Sequence, residues 1–202
     1  KQVLHDLQAL MPELDAVELQ AFDESPYSGL YPSSASLQSR THFLWRARHA
    51  KPSDIFVASI EALLQKTLPV DLFKSYEFTL TKGEEVDIDT LIRQLAESGY
   101  LSAPLVEDGG TFSRRGDILD IFSPTLNLPI RIEFFGDQIE SIRTFQIETQ
   151  RSESELNSAV IVPAREILLR EDVVEHARKQ IKEFCDEQGI SKQMRETLVD
   201  PL

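Results

Sequence analysis

Residues 111–150 read TFSRRGDILDIFSPTLNLPIRIEFFGDQIESIRTFQIETQ, and the fold turns on how this stretch alternates. At its centre, from Pro129 to Phe135, the period is two. Ile130, Ile132 and Phe134 fall on one side of a strand, and Arg131, Glu133 and Phe135 on the other. The first set is an ordinary buried face. The second places a cation, an anion and a large ring side by side on the face the core does not need. Gly136-Asp137 then reverses the chain as a short hairpin. Ile139 and Ile142 are out of phase in the return strand, which predicts a bulge near Glu140-Ser141. Upstream, Gly109-Gly110 is another turn signal, and Thr111 to Arg115 leads into a second apolar run ending at Phe122. The stretch predicts a small antiparallel sheet with Arg115 and Arg131 reaching off it.

Working outward, 202 residues suffice for one large domain or two small ones. No apolar run is long enough to cross a membrane and no signal peptide is legible. The single cysteine, Cys185, excludes an intramolecular disulfide and disfavours a zinc site. A reducing, cytoplasmic setting is expected. The chain begins at Lys1 and is expected to be a piece of a longer one. The net charge of -13 argues against autonomous DNA binding and for a protein partner.

Val3 to Met11 has helical spacing, stopped by Pro12. Val17 to Phe22 reads as a strand, Ser36 to Ala50 as a helix, Asp54 to Ser59 as a buried parallel strand, and Ile60 to Leu68 as a helix ended by Pro69. That order predicts βαβ construction. Tyr76 to Thr81 is a strand. Asp87 or Asp89 can cap a helix through Leu95, with Gly99 suited to its C-terminal end. Arg151 to Asn157 is polar and reads as a boundary, Ala159 to Val162 as a strand, and Asp172 to Gln188 and Ser191 to Leu198 as helices. The expected organisation is an α/β unit (1–76), an inserted α+β unit with the small sheet (77–156), and a tail (157–202) that returns to the first.

Support for catalysis is absent. Asp23-Glu24 after a strand could hold magnesium only beside a phosphate-cradling G-x-x-x-x-G-K-[ST] loop, which does not occur; Asp23 and Ser25 are expected to shape the loop before Pro26. His5, His42, His49 and His176 lack ligand spacing. Arg40, Arg46, Arg48 and Lys51 form a short basic cluster that could clamp DNA or polymerase, or could simply be a solvated helix face. For Arg115, Arg131, Glu133 and Phe135 two readings stand level. One is cross-strand pairing, with Arg131 against an acid of a neighbouring strand, Glu133 against Arg143, and Phe135 over the sheet edge. The other is a docking surface built on arginine and an aromatic ring.

The runs RRGDILDIF and RIEFFGDQIESIR, in that order and with that spacer, resemble the module shared by the nucleotide excision repair protein UvrB and the transcription-repair coupling factors of the Mfd family. SPYSGLYPSSASLQSR, DIFVASIEALLQKTLP and VIVPAREILL are similar to other parts of the Mfd version, and the Tyr-Gly-Leu-Gly signature of UvrB is replaced by Ile60 to Gln65. The resemblance implies domains 1a, 2 and 1b, with domain 2 inserted into a degenerate helicase-like fold of the RecA type that has lost its ATPase motifs. It implies recruitment of UvrA to RNA polymerase stalled at DNA lesions. Positions matching the family's UvrA-contacting residues are Arg115, Arg131 and Phe135, with Glu133 between them. Related UvrB sequences carry a further arginine where this chain has Ser113; here Arg114 is adjacent and is expected on the opposite face. ATP and magnesium, RNA polymerase and duplex DNA belong to parts of the full-length protein outside this chain. No cofactor, metal or catalytic residue is expected here. The rival expectation is a fragment of a UvrB-type ATP-dependent damage-recognition helicase.

Overall fold

Helix α1 (Gln2–Leu10) stops ahead of Pro12, whose missing N–H and ring cannot continue it. Its coordinates, and all that follow, come from a computed structural model that describes residues 2–25, 28–168 and 171–199. Pro26 and Leu169, which lie within the quoted runs, fall outside them. The chain divides into two compact units, Lys1–Ile167 and Leu168–Leu202.

The first unit opens with strand β1 (Asp15–Leu19), helix α2 (Ser34–Arg48) and strand β2 (Asp54–Ala58), with β1 and β2 paired in parallel. This is the expected βαβ order, although β1 starts and ends earlier than the Val17 to Phe22 predicted. The reason is local. The Gln20 carbonyl accepts from Arg40 at 2.7 Å and the Phe22 N–H donates to Gln65 at 3.0 Å, so both groups leave the ladder. Ser33 caps α2 by accepting from the Ser36 N–H at 3.2 Å, which starts the helix two residues sooner than expected. Helix α3 (Ile60–Leu64) is capped by Ser59 and ends where Gln65 turns extended, short of the predicted Leu68. Pro69 then opens a separate helix, α4 (Val70–Ser75), which the sequence reading missed.

Strand β3 (Phe78–Thr81) leads to helix α5 (Ile88–Glu97), where Asp87 accepts from the Asp89 and Thr90 N–H groups. Six strands then form one sheet in order: β4 (Leu101–Ser102), β5 (Thr111–Arg115), β6 (Ile118–Ile121), β7 (Ile130–Phe135), β8 (Gln138–Phe145) and β9 (Ser152–Leu156). Only the β4–β5 pairing is parallel. The polar segment 151–157, expected as a boundary, carries an edge strand of this sheet. Its serines and glutamates carry no apolar periodicity because both faces of β9 are mostly exposed; the β8 ladder holds it, with an ion pair from Lys82 to Glu155 at 2.6 Å. Strand β10 (Ser158–Ile161) pairs antiparallel with β3. Backbone bonds from Gly83 and Val86 to the carbonyls of Ile139 and Asp137 join that ribbon to β8.

One core unites these elements. Leu91 and Leu95 of α5, Leu80, Ala159 and Ile161 of the ribbon, and Leu119, Ile121, Ile130, Ile132, Phe134, Ile139 and Ile142 of the sheet are all buried together. Fully burying a side chain of this size contributes roughly 1.5–3 kcal/mol. One face of the sheet is thus committed to the core, and the other is left to carry the site. The second unit holds two helices, α6 (Glu171–Glu187) and α7 (Lys192–Val199), joined across Gly189.

Candidate docking face

Two hairpins set the geometry. Gly116-Asp117 joins β5 to β6 and Gly136-Asp137 joins β7 to β8, each a two-residue connection. Gly116 and Gly136 sit at φ of 63° and 60°, at the first central position where a primed turn needs positive φ. Both turns lie at the same end of the sheet, where the Phe134 N–H donates to the Asp117 carbonyl at 2.9 Å. In the β7–β8 ladder Glu133 faces Ser141 while Phe134 faces Ile139, leaving Glu140 as the extra residue of the predicted bulge. The bulge returns Ile139 and Ile142 to the same core face.

Opposite that core, the register places Asp120 between Ser113 and Arg131, and Ile118 between Arg115 and Glu133. Asp120 is the centre of the arrangement. Its carboxylate is 0% exposed, accepts from Arg131 Nε at 2.8 Å and Nη2 at 2.9 Å, and accepts from Arg115 Nη2 at 2.6 Å. A charge so desolvated is tolerable only when opposed by partners this close. Arg131 also donates Nη1 to the Gln150 carbonyl at 3.1 Å and lies over the buried Phe145 ring, 4.6 Å from its centroid. Gln150 holds a positive φ of 58° within the turn that brings that carbonyl round. The Asp120 carboxylate keeps Arg131 protonated even more firmly than its ordinary value, outweighing desolvation.

The prediction that Arg131 reaches off the sheet is corrected: only 15% of its side chain is exposed. Arg115 does reach out, with 46% of its side chain exposed. Phe135, at the end of β7, is 78% exposed and is not folded over the edge. Glu133 accepts from Ser141 Oγ at 2.7 Å and from Arg143 Nη1 at 3.3 Å, as cross-strand pairing predicts. Ser113 shares the face of Arg115 but is buried, donating to the Pro104 carbonyl at 3.0 Å. Arg114 turns to the core side, where it pairs with Asp89 at the start of α5.

Sequence comparison places these residues in a known domain. Residues 78–167 match the profile of the UvrB interaction domain. The chain is 38% identical over 170 residues to the transcription-repair-coupling factor of Myxococcus xanthus, covering 84% of this chain and 14% of that protein. It is 32% identical over 149 residues to that of Staphylococcus epidermidis (71% and 13%) and 36% identical over 128 residues to that of Staphylococcus aureus MRSA252 (63% and 11%). The chain belongs to the transcription-repair-coupling factor family. It spans at most 14% of the length of these relatives.

In this coupling-factor chain the other candidates are structural. Arg40 is 0% exposed, pairs with buried Glu166, and lies over Phe22 at 4.2 Å from its centroid. Arg46 binds Asp15 and Asp54 at 2.8 and 2.7 Å, and Arg48 binds Glu77 at 2.7 Å. A DNA clamp built on Arg40, Arg46, Arg48 and Lys51 is therefore corrected, since its three arginines are spent inside the fold. Asp23 accepts from the Ser33 N–H at 3.1 Å, and the Ser33 hydroxyl first and this contact second hold its carboxyl below the usual range. His42 bonds the Pro124 carbonyl at 2.8 Å and His49 the Trp45 carbonyl at 3.0 Å. Among the described residues no cluster of three or more His, Cys, Asp or Glu has the geometry to hold a metal ion. Nor is any helix among them long and apolar enough to cross a membrane. Asp120, Phe145 and Gln150 escaped the sequence reading. The register signal for Asp120 was present, because it lies at the same alternation phase as Arg131 across a short connection.

Proposed function

We propose that this chain is a cytoplasmic adaptor, without enzymatic activity of its own, that recruits UvrA to RNA polymerase stalled at DNA lesions. The docking face comprises Arg115, Arg131, Glu133 and Phe135. Arg115 and Phe135 reach toward UvrA, while Arg131 and Glu133 form the ion-paired floor beneath them. The observation that carries this reading is Phe135: a phenyl ring 78% exposed on a rigid hairpin whose other face is packed into the core. An aromatic anchor beside an arginine is the composition of interface hot spots. The match to the UvrB interaction domain over 78–167 supports the same surface.

We further propose that β1-α2-β2 is the remnant of a helicase-like domain 1a (1–76), with domain 2 at 77–156 and domain 1b at 157–202. ATP, magnesium, polymerase and duplex DNA would be handled by the rest of the full-length family protein. The test is a pull-down of purified UvrA. Arg115→Ala and Phe135→Ala are each expected to lose capture while keeping the wild-type melting temperature. Capture of both variants at wild-type strength rejects the surface.

A further inference from the structure

We propose that Asp120 is the positioning residue of the docking face: a buried carboxylate that holds the Arg115 guanidinium in the orientation UvrA receives. The inference rests on the docking reading above and adds to it a residue that does not itself touch the partner.

The reasoning begins with charge. Asp120 is wholly buried, and Arg131 alone meets both of its oxygens, Nε on Oδ1 and Nη2 on Oδ2. That pair is already neutral, and it is closed on its other sides by the Phe145 ring and the Gln150 carbonyl. Arg115 is then a second cation on Oδ2, at 2.6 Å. Two guanidiniums on one carboxylate leave a positive charge in excess. It resides on Arg115, the more exposed of the two. Another acid of this face, Glu133, is engaged by Ser141 and Arg143.

The consequence for binding follows from entropy. A free arginine on a hairpin samples many rotamers and loses that freedom when a partner grips it. Tethered through one nitrogen to a fixed carboxylate, Arg115 is ordered before UvrA arrives. The complementary chemistry on UvrA is a carboxylate for the excess charge of Arg115 beside an apolar recess for Phe135.

The experiment is a double-mutant cycle on the full chain, with UvrA affinity measured by calorimetry. Asp120→Asn keeps the shape and removes the charge; it is expected to weaken binding about tenfold. Added to Arg115→Ala, Asp120→Asn should cost nothing further, because Asp120 acts only through Arg115. The NMR order of the Arg115 Nε–H, high in the wild type, should fall in Asp120→Asn, which a role in general stability would not produce in a folded variant. If Asp120→Asn fails to fold with Arg131 left unpaired, Asp120→Asn/Arg131→Met replaces the buried pair by a neutral one, and the same loss is expected there. Wild-type affinity in whichever variant folds, additive losses with Arg115→Ala, or an Arg115 side chain that stays ordered without Asp120 each overturn the proposal. Wild-type binding by Arg115→Ala and Phe135→Ala would reject the docking face itself, a result separable from loss of the positioning role alone.

Discussion

Arg131 and Arg115 share one carboxylate yet are expected to behave oppositely when removed. Arg131→Ala strips both closest bonds from a buried Asp120, so it should destabilise the fold by about 3–5 kcal/mol, the usual consequence of orphaning a buried charge. Arg115→Ala leaves Asp120 neutralised by Arg131 and should cost under about 1 kcal/mol, since the residue is half exposed. Urea unfolding of the two variants checks the ordering. Phe135 separates binding from stability more cleanly still. With 78% of the residue in water, its truncation removes almost no packing, whereas at an interface such a ring is worth about 2–4 kcal/mol. The sequence showed Arg131, Glu133 and Phe135 on one face and could not rank them. Exposure ranks them, and exposure depends on which acid stands across the ladder.

At the scale of elements, alternation was the strongest signal, and it located β7, its turn and its bulge correctly. The cap of α5 was legible as Asp87 or Asp89: Asp87 holds the first turn, and its carboxyl lies below the ordinary range because the Thr90 hydroxyl donates to it. Asp87→Ala is expected to cost about 1 kcal/mol in denaturant unfolding. Strand β9 was illegible for a physical reason. An edge strand exposed on both faces needs no apolar period, only a neighbour with free backbone groups. Helix α4 was lost because a short helix opening at a proline carries few periodic positions. Gln65 ended α3 early by turning extended to bond Phe22 and Arg40, a tertiary demand that no local pattern announces.

Across the first unit, distant segments are fastened by ion pairs. The buried Arg40–Glu166 pair links α2 to the segment after β10, and removing either partner should destabilise by about 3–5 kcal/mol. Acid sensitivity belongs to this scale too. Asp54 is held below the usual carboxylate range first by the Lys51 N–H and then by Arg46, and Asp23 and Asp87 are lowered as well. A depressed folded-state value stabilises above the unfolded value of about 3.9 and loses that contribution as pH falls through the folded one. Stability is therefore expected to be flat above about pH 5 and to decline below about pH 4, checked by thermal melts across that range.

By itself the sequence determined the βαβ order, the small antiparallel sheet, its Gly136-Asp137 hairpin, and which side of β7 faces away from the core. These follow from local steric and periodic rules that need only a few neighbouring residues. The tertiary structure alone decided that Arg131 is a floor and Arg115 a reaching group, and that the basic cluster on α2 is internal wiring. Each of those outcomes depends on a carboxylate supplied by another element, and a charge is free or spent only once the fold has chosen its neighbour.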